Sequence, residues 1–246
     1  MNIMATDNSI DVSIVIPVYN EAENLELLMA EIKFVVDALG ITYEVIFVDD
    51  KSTDDSLAVM RRLKASYAEI VIVRHKENCG ESAAQASGFQ CARGRVVITM
   101  DGDGQNDPAD IPRFLSALTD DVDCVCGVRQ KREDSWVRRI SSRIANGFRN
   151  SLTGDKITDA GCTYRAICRN VLSEIMVFNG MHRFLPTILR FQRRNVIEIK
   201  VNHRPRRGGV SKYGIGNRMW RGILDCLAMR WYKRRALPSA RYFPPE

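Results

Sequence analysis

The stretch Val96-Val97-Ile98-Thr99-Met100-Asp101-Gly102-Asp103-Gly104-Gln105 indicates the fold of the first half of the chain. Its first five residues are apolar or β-branched, which predicts a buried strand. Asp101 and Asp103 follow at once, and side chains two residues apart on an extended strand point the same way. Two carboxylates that face one point repel each other unless a cation lies between them.

This strand end is open to two interpretations. Oxygen ligands with room for water and phosphate groups suit Mg²⁺ or Mn²⁺, so a divalent metal site is one of them. Aspartate and glycine are also common in turns, so a plain polar turn after the strand is the other.

Strand and helix patterns alternate through the first half of the chain. Apolar, β-rich runs occupy residues 11–18, 44–48, 70–73 and 96–100. Apolar residues at helical spacing lie between them, over residues 21–39, 57–63 and 82–92. Continuous apolar strands that alternate with helices predict an α/β fold, in which a mostly parallel, Rossmann-like central sheet carries helices on both faces.

Three of the predicted strand ends carry unusual polar residues, at positions 17–21, 49–52 and 101–103. Ligands of open parallel sheets bind outside the carboxyl ends of the strands, so we expect these three segments to meet at one site. The chain has no GxGxxG after the first strand and no GxxxxGK[ST] anywhere. A dinucleotide site and a P-loop are therefore disfavoured.

Charge divides the chain into an acidic and a basic half. The formal net charge is +6, but residues 1–128 hold 10 Lys/Arg against 22 Asp/Glu, whereas residues 129–246 hold 26 against 8. A strongly basic half suits a polyanionic partner, which could be nucleic acid, anionic lipid or a phosphorylated substrate. A solvated charged surface is the plainer alternative.

The cysteines, the histidines and the first residues indicate the compartment. Seven cysteines form no CxxC pair, and three histidines are too few to favour a zinc cluster. Residues 1–11 are polar and lack the apolar stretch of a signal peptide. The sequence contains no run of about 18 apolar residues, so it predicts no membrane-spanning helix. We therefore expect a reduced, cytoplasmic protein.

The second half is predicted to contain further basic elements. We expect a basic helix at residues 136–152, a strand within 158–168 and a glycine-containing loop at 203–212. Residues 217–235 have the pattern of a basic amphipathic helix with tryptophans, which is compatible with a membrane-interfacial helix and equally with a helix that packs on the core. The expected division is a domain at 1–215, followed by this helix and a tail at 216–246.

Together these motifs resemble the family 2 glycosyltransferases with a GT-A fold, and among them the polyprenyl-phosphate and dolichyl-phosphate sugar transferases of the dolichyl-phosphate mannosyltransferase type. The resemblance runs in order through residues 10–215. It is carried by IPVYNEAENL (16–25), VDDKSTDDS (48–56), NCGESAAQASGF (78–89), MDGDGQNDP (100–108), GVR (127–129), RISSRIAN (139–146), TDAGCTYRA (158–166) and RPRRGGVSKY (204–213). The family commonly has Ser-Gly-Phe-Arg where this chain has Cys162-Thr163-Tyr164-Arg165.

The resemblance implies a set of site residues. Those that would hold the base and ribose of a nucleotide-sugar are Pro17, Tyr19, Glu21, Val48 and Asp50. Those that would hold a divalent cation, Mg²⁺ or Mn²⁺, against the diphosphate are Asp101, Asp103 and Gln105, with Gly102 between them. Those that would receive the phosphate of a lipid acceptor are Arg129, Arg138 and Ser142, with Arg139 and Arg143 as alternatives to Arg138. Arg206 and Lys212 would close over the donor phosphates or over the reacting pair. With Asp101 and Asp103 they form the expected catalytic group.

The implied reaction is an inverting transfer of a sugar from a GDP- or UDP-sugar to a polyprenyl or dolichyl monophosphate. Mannose is the favoured sugar, and glucose or an amino-sugar is open. A phosphate acceptor is already ionised near neutral pH, so it needs arginines to position it rather than a strong general base. The implied location is peripheral, on an anionic membrane surface at the cytoplasmic face, with a partner membrane protein or a homo-oligomer open and no nucleic acid bound.

Two other functions stay open. A family 2 enzyme could transfer to a glycan or another soluble hydroxyl, and Asp159 could then act as the base, although a structural hydrogen-bonding role is favoured for it. Alternatively, the basic half could bind nucleic acid without catalysis, which leaves the acidic strand ends unexplained.

Overall fold

A seven-stranded sheet forms the centre of the fold in the computed structural model, which describes residues 10–130, 146–205 and 216–236. Its strands are β1 (Val12–Val18), β2 (Tyr43–Asp49), β3 (Ile70–Arg74), β4 (Val96–Thr99), β5 (Cys124–Arg129), β6 (Arg165–Cys168) and β7 (Val196–Val201). They lie in the order β3-β2-β1-β4-β6-β5-β7. Strand β6 runs antiparallel to β4 and β5, and the other pairs are parallel. The predicted mostly parallel sheet is confirmed.

The helices follow the strands along the chain. They are α1 (Ala22–Asp37), α2 (Ser56–Ser66), α3 (Glu81–Cys91), α4 (Ile111–Ala117), α5 (residues 146–153), α6 (Leu185–Phe191) and α7 (Gly216–Arg235). Short 3-10 helices add Pro108–Asp110, Arg169–Glu174 and Met181–Arg183. Among the described residues, no helix combines the length and the apolar content that crossing a bilayer requires.

Two apolar clusters cover the two faces of the sheet. On one face, Ile14 and Ile16 of β1 pack with Leu25 of α1 and other residues of α1 and α2. On the other face, Val15 of β1 packs with Ala84 of α3. Because alternate residues of β1 are buried on opposite sides, helices cover both faces, as the continuous apolar strands predict.

Helix α3 lies unusually close to the sheet. Its buried residues are small or unbranched: Ser82, Ala84, Gln85, Ala86 and Gly88. A Cβ atom added at Gly88 would lie 2.2 Å from Cγ1 of Val15, so only glycine permits this approach. The contact holds α3 against β1 and brings its first turn to the carboxyl edge of the sheet.

In the second half of the fold, the structure differs from the sequence predictions at the short strands and helices. Strand β6 begins only at Arg165, so residues 158–164 of the predicted strand form turns and loops. The patterns do not predict β5 or β7, nor the seven-residue helices α4 and α6, which are too short to display a helical period. Of the basic helix expected at 136–152, residues 146–152 are helical, and the remainder lies outside the described residues.

A buried ionic cluster fastens α5 to α6. The carboxylate of Asp155 accepts hydrogen bonds from the hydroxyl of Thr187 and from Nη1 of Arg190, at 2.6 Å for the latter. Nη1 of Arg149 lies 3.5 Å away, and the backbone N–H of Lys156 donates to the same carboxylate at 2.7 Å. Burial raises the pKa of Asp155, but its hydrogen bonds and the charge of Arg149 outweigh burial and hold that pKa below its usual value. The ionised carboxylate is therefore the form that stabilises the fold.

We expect Asp155→Asn to lower the free energy of unfolding at neutral pH by about 3 kcal/mol, because buried cations lose their counter-charge. The native pKa lies below the unfolded value, so this stabilisation is present at neutral pH and is lost as the pH falls through the native pKa. Urea unfolding at several pH values should show the variant and the parent protein converging in acid. The exposed control Asp120→Asn should change stability by less than about 0.5 kcal/mol, and an equal loss in both variants would contradict the account.

Candidate functional site

The ends of β1 and β2 are joined by hydrogen bonds at the carboxyl edge of the sheet. The backbone N–H of Asn20 donates to Oγ of Ser52 at 3.1 Å, and that of Glu21 donates to Oγ of Ser56 at 2.9 Å. Asn20 and Lys51 have φ angles of 55° and 64°, which mark sharp turns after both strands. The predicted polar segments at 17–21 and 49–52 therefore lie side by side.

The residues expected to hold the base and ribose differ in exposure. Pro17 and Tyr19 are half-buried at the end of β1. Glu21 is buried, and its Oε2 accepts a hydrogen bond from Nδ2 of Asn24 at 2.8 Å. The side chain of Val48 is fully buried in the cluster that covers one face of the sheet. Any contact of Val48 with a ligand would therefore have to come from its backbone.

The carboxylate of Asp50 organises the segment that leads into α3. Its oxygens accept hydrogen bonds from the backbone N–H groups of Cys79 and Gly80, each at 2.8 Å. Nδ1 of His75 lies 2.7 Å from Oδ1, and Nε2 of His75 lies 2.9 Å from Oγ of Ser87. The structure thus gives Asp50 a supporting role beneath the expected nucleotide site, and it adds His75, whose position no sequence motif indicated.

Asp50, His75 and Cys79 also lie within metal-binding reach of one another. Among the described residues, these three side chains offer one ligand atom each, all within 4.8 Å. Both ring nitrogens of His75 are already within hydrogen-bonding distance of other groups, however, and Asp50 accepts two backbone N–H groups. The arrangement is that of a hydrogen-bonded chain that fixes the loop.

The residues after β4 form a turn. The backbone N–H of Asp101 donates to Oδ1 of Asn106 at 2.7 Å, and that of Gln105 donates to Oδ1 of Asp103 at 3.1 Å. Gly104 has a φ angle of 74°, which completes the turn. The extended geometry assumed for Asp101 and Asp103 is therefore wrong, since the strand ends before them. A turn does not exclude a metal site, because the side-chain oxygens of the turn still lie at the carboxyl end of β4.

Asp101 is half-buried and lies near charges of both signs. Its Oδ1 accepts a hydrogen bond from the hydroxyl of Thr163 at 2.7 Å. Burial raises the pKa of its carboxyl above the usual value, and Glu21 acts in the same direction. The Thr163 hydrogen bond and the positive charges of Arg129 and Arg165 oppose that rise. The Thr163 hydrogen bond thus joins the segment before β6 to the turn after β4, and a bound cation would favour the ionised form of Asp101.

The donor set after β4 fits a hard divalent cation. Asp101 and Asp103 supply carboxylates, and Gln105 supplies a carboxamide, so all three offer oxygen. Nε2 of Gln105 donates to the backbone carbonyl of Arg204 at 3.3 Å, so Oε1 is the side-chain atom that a cation could use. Nε2 of His203 lies 3.5 Å from the same amide nitrogen. Residues 203–204 therefore pack over the turn, and His203 joins the side chains that border it.

Arg129, expected to receive a phosphate, is paired with Asp159. Nε and Nη2 of Arg129 donate to the two carboxylate oxygens, each at 2.8 Å. The side chains are 16% and 8% exposed, so the pair is largely shielded from water. This bidentate geometry fixes the plane of the guanidinium and agrees with the structural role favoured for Asp159.

The remaining expected contacts with the acceptor and donor phosphates lie outside the described residues. They are Arg138 and Ser142, with the alternatives Arg139 and Arg143, and the closing residues Arg206 and Lys212. Their roles stay predictions.

The sequence matches a known family and several named relatives. The family model described as Glycosyl transferase family 2 matches residues 13–176. The chain is 40% identical over 214 residues to an undecaprenyl-phosphate 4-deoxy-4-formamido-L-arabinose transferase of Sodalis glossinidius, covering 86% of this chain and 66% of the relative. Its namesake in Edwardsiella ictaluri is 38% identical, over 83% of this chain and 63% of the relative. The chain spans just under two thirds of the length of these two relatives.

A differently named relative extends the match along more of the chain. The dodecaprenyl-phosphate galacturonate synthase of Rhizobium johnstonii is 34% identical over 240 residues, covering 96% of this chain and 71% of the relative. Among solved structures, glucosyl-3-phosphoglycerate synthase of Mycobacterium tuberculosis, in complex with Mn²⁺, UDP-glucose and phosphoglyceric acid, superposes with a TM-score of 0.67. It is 18% identical and the match covers 89% of this chain and 79% of that one, which confirms the expected GT-A type of fold.

We expect Asp50→Asn to loosen the segment before α3, because an amide offers a single acceptor oxygen where a carboxylate offers two. Hydrogen exchange should accelerate at the backbone amides of Cys79 and Gly80, and the free energy of unfolding should fall by about 1–3 kcal/mol. The exposed Asp55→Asn at the same sheet edge is the matched control. Unchanged exchange at both amides in Asp50→Asn would show that the carboxylate does not hold the loop.

Proposed function

We propose that this chain, which belongs to glycosyl transferase family 2, transfers a sugar from a nucleotide-sugar to the phosphate of a polyprenyl lipid. The observation that carries the proposal is that Glu21, Asp50 and the Asp101–Gln105 turn lie together at one edge of the sheet. The backbone N–H of Asp50 donates to the carbonyl of Val18 at 2.8 Å, and a Cβ atom at Gly102 would lie 3.7 Å from Cγ of Glu21. The names of the polyprenyl-phosphate transferases at 34–40% identity support the lipid acceptor.

The donor would lie across the ends of β1, β2 and β4. Pro17, Tyr19 and Glu21 line one side, and Asp50 supports the floor through the loop that it fixes. The diphosphate would point toward the Asp101–Gln105 turn. A cation bound there would supply positive charge against the leaving nucleoside diphosphate, and the Mn²⁺–UDP-glucose complex of the similarly folded synthase supports this assignment.

The acceptor phosphate would approach from the side of β5. Arg129 carries more N–H donors than its pair with Asp159 uses, so the pairing orients its guanidinium without exhausting it. Arg138, Ser142, Arg206 and Lys212 complete the proposed phosphate contacts. The phosphate oxygen would attack the anomeric carbon directly, and a single displacement inverts the configuration of the sugar.

A soluble hydroxyl acceptor is the second candidate function. It would require a base to take the hydroxyl proton. Asp159 is poorly suited to that task, because both of its oxygens accept hydrogen bonds from Arg129. Binding of nucleic acid is disfavoured too, since it gives no role to the half-buried Asp101 or to the acidic turns.

The relatives' names shift the expected sugar away from mannose. They specify a 4-deoxy-4-formamido-L-arabinose and a galacturonate, and none of them specifies mannose. The names give no nucleotide, but the UDP-glucose complex of the similarly folded synthase supports UDP, so we rank UDP-linked sugars of these two kinds ahead of GDP-mannose as donors. Because the proposed acceptor is a lipid phosphate, the reaction would take place at a membrane surface, for which we propose the cytoplasmic face.

A radiolabelled transfer assay tests the proposed function. Undecaprenyl phosphate in detergent would be offered with UDP-galacturonate, UDP-4-deoxy-4-formamido-L-arabinose, UDP-glucose, UDP-N-acetylglucosamine and GDP-mannose, with Mn²⁺, Mg²⁺ or a chelator. We expect a labelled product extractable into organic solvent, formed from at least one donor and lost with the chelator. Parallel reactions would offer a soluble glycan in place of the lipid. Transfer only to that glycan, or no product with any donor, would contradict the proposal.

We expect Asp101→Asn and Asp103→Asn each to lower kcat by about 10²–10³-fold, because the leaving diphosphate loses its electrostatic stabilisation. Asp55→Asn, exposed at the same edge, should retain full activity. Transfer rates measured across a range of Mn²⁺ concentrations would check this. Full activity of both site variants would show that the turn holds no functional cation.

A further inference from the structure

One side of α7 is fastened to the body of the protein. Cys226 and Met229 are buried in the cluster that includes α6. Asp225 pairs with Arg183 at 3.0 Å, and the hydroxyl of Tyr232 accepts a hydrogen bond from Gln192 at 2.8 Å. The inner side of this helix therefore packs on the core, which is one of the two alternatives that the sequence left open.

The outer side of α7 carries an uncovered apolar stripe. Leu224, Leu227 and Trp231 are 50%, 48% and 64% exposed. Their spacing of three and four residues places them in one row along the helix. Exposed leucine and tryptophan in a continuous row indicate an interaction surface rather than scattered surface residues.

Cations stand beside this stripe at its carboxyl-terminal end. Arg230, Lys233 and Arg234 line a cavity of about 390 Å³ together with residues 151–154 of α5 and the following turn. Nζ of Lys233 lies 3.3 Å from the carbonyl oxygen of Thr153, so Lys233 faces α5 on the packed side of the helix, where it neutralises the negative end of α5. Arg235 adds a further positive charge in the last turn.

We propose that α7 docks this protein on an anionic lipid bilayer, with Leu224, Leu227 and Trp231 inserted between the lipids. The arginines of the same helix end, Arg230, Arg234 and Arg235, would contact the headgroup phosphates. Tryptophan favours the boundary between headgroups and acyl chains, and basic residues beside it attract anionic lipids. A second copy of α7 would instead bring two clusters of like charge together, which disfavours a dimer through this face.

The proposed docking rests on the proposed function for its biological role, namely access to a lipid acceptor. Membrane binding itself is measured without sugar transfer. The apolar stripe lies on the side of α7 opposite the packed residues Cys226 and Met229. Docking through it would hold the folded body against the membrane surface, where a polyprenyl phosphate presents its headgroup. The helix would lie in the interface, with its inner side still packed on α6.

Co-sedimentation of the whole protein with vesicles tests the proposal. The vesicles would be pure phosphatidylcholine, or phosphatidylcholine mixed with phosphatidylglycerol. We expect binding to the anionic vesicles that weakens as salt screens the charges. The triple variant Leu224→Ser, Leu227→Ser, Trp231→Ser should lower the partition coefficient at least about tenfold, because its apolar insertion is lost. Trp231→Phe should keep most of the binding but lose part of the blue shift of the tryptophan emission.

A matched control separates docking from general surface hydrophobicity. Leu27 and Phe34 on α1 are 47% and 80% exposed, so Leu27→Ser with Phe34→Ser removes a comparable apolar surface elsewhere. This control should bind vesicles as the parent protein does. Equal binding by the parent and the α7 variant, or an equal loss in the α1 control, would overturn the proposal. A parent dimer in light scattering that the α7 variant converts to a monomer would assign the stripe to a second copy instead.

The transfer assay in detergent distinguishes the two proposals. Loss of vesicle binding in the α7 variant with intact transfer to detergent-solubilised undecaprenyl phosphate would support docking and leave the proposed function standing. Normal vesicle binding by α7 in a protein that transfers no sugar would support docking and contradict the proposed function.

Discussion

The parallel pairing of β1 with β2 on one side and with β4 on the other determines where the three acidic strand ends of the site lie. These strands are buried on both faces, so polar residues are accommodated where the strands end. The pairing of Val18 with Asp49 aligns the ends of β1 and β2, and the pairing of Val15 with Thr99 sets β4 beside them. Acidic and turn-forming residues from three distant parts of the sequence thereby reach one edge.

Close packing keeps that edge in place. Gly88 lets α3 approach β1, and Asp50 holds the segment that leads into the first turn of α3. Gly102 has a similar role on the other side, since a Cβ there would lie 3.2 Å from the backbone carbonyl of Pro17. The site is therefore built from close backbone approaches, which larger side chains would disturb.

The first half of the fold could be predicted from the sequence because its elements are long and strongly periodic. Helix α1 has 16 residues and β1 and β2 have seven each, so their patterns are unmistakable. Strand β5 contains glycine and two cysteines, and α4 and α6 have seven residues each, so their patterns are weak. The antiparallel β6 follows a segment that looks extended in sequence but forms turns in the structure.

The candidate site could be predicted as a set of positions but not as a set of contacts. The polar ends of the strands can be recognised in the sequence because polar residues there interrupt apolar runs. The pairing of Arg129 with Asp159 joins residues 30 positions apart, and the contact of His75 with Asp50 joins residues 25 positions apart. No local pattern encodes such contacts, so the supporting roles of Asp50 and Asp159 emerge only from the fold. Likewise, both sides of α7 carry apolar residues, so the sequence does not show which side faces the core. Only the packing in the structure distinguishes them.

A crystal structure of the protein with Mn²⁺ and UDP, and a second with Mn²⁺ and GDP, would test the central claim most directly. The anomalous signal of manganese locates the ion independently of the nucleotide. The account predicts manganese between the diphosphate and the Asp101–Gln105 turn, with the base against the end of β1 in at least one of the two complexes. Manganese held by Asp50, His75 and Cys79, or a nucleotide bound away from the ends of β1, β2 and β4, would contradict it.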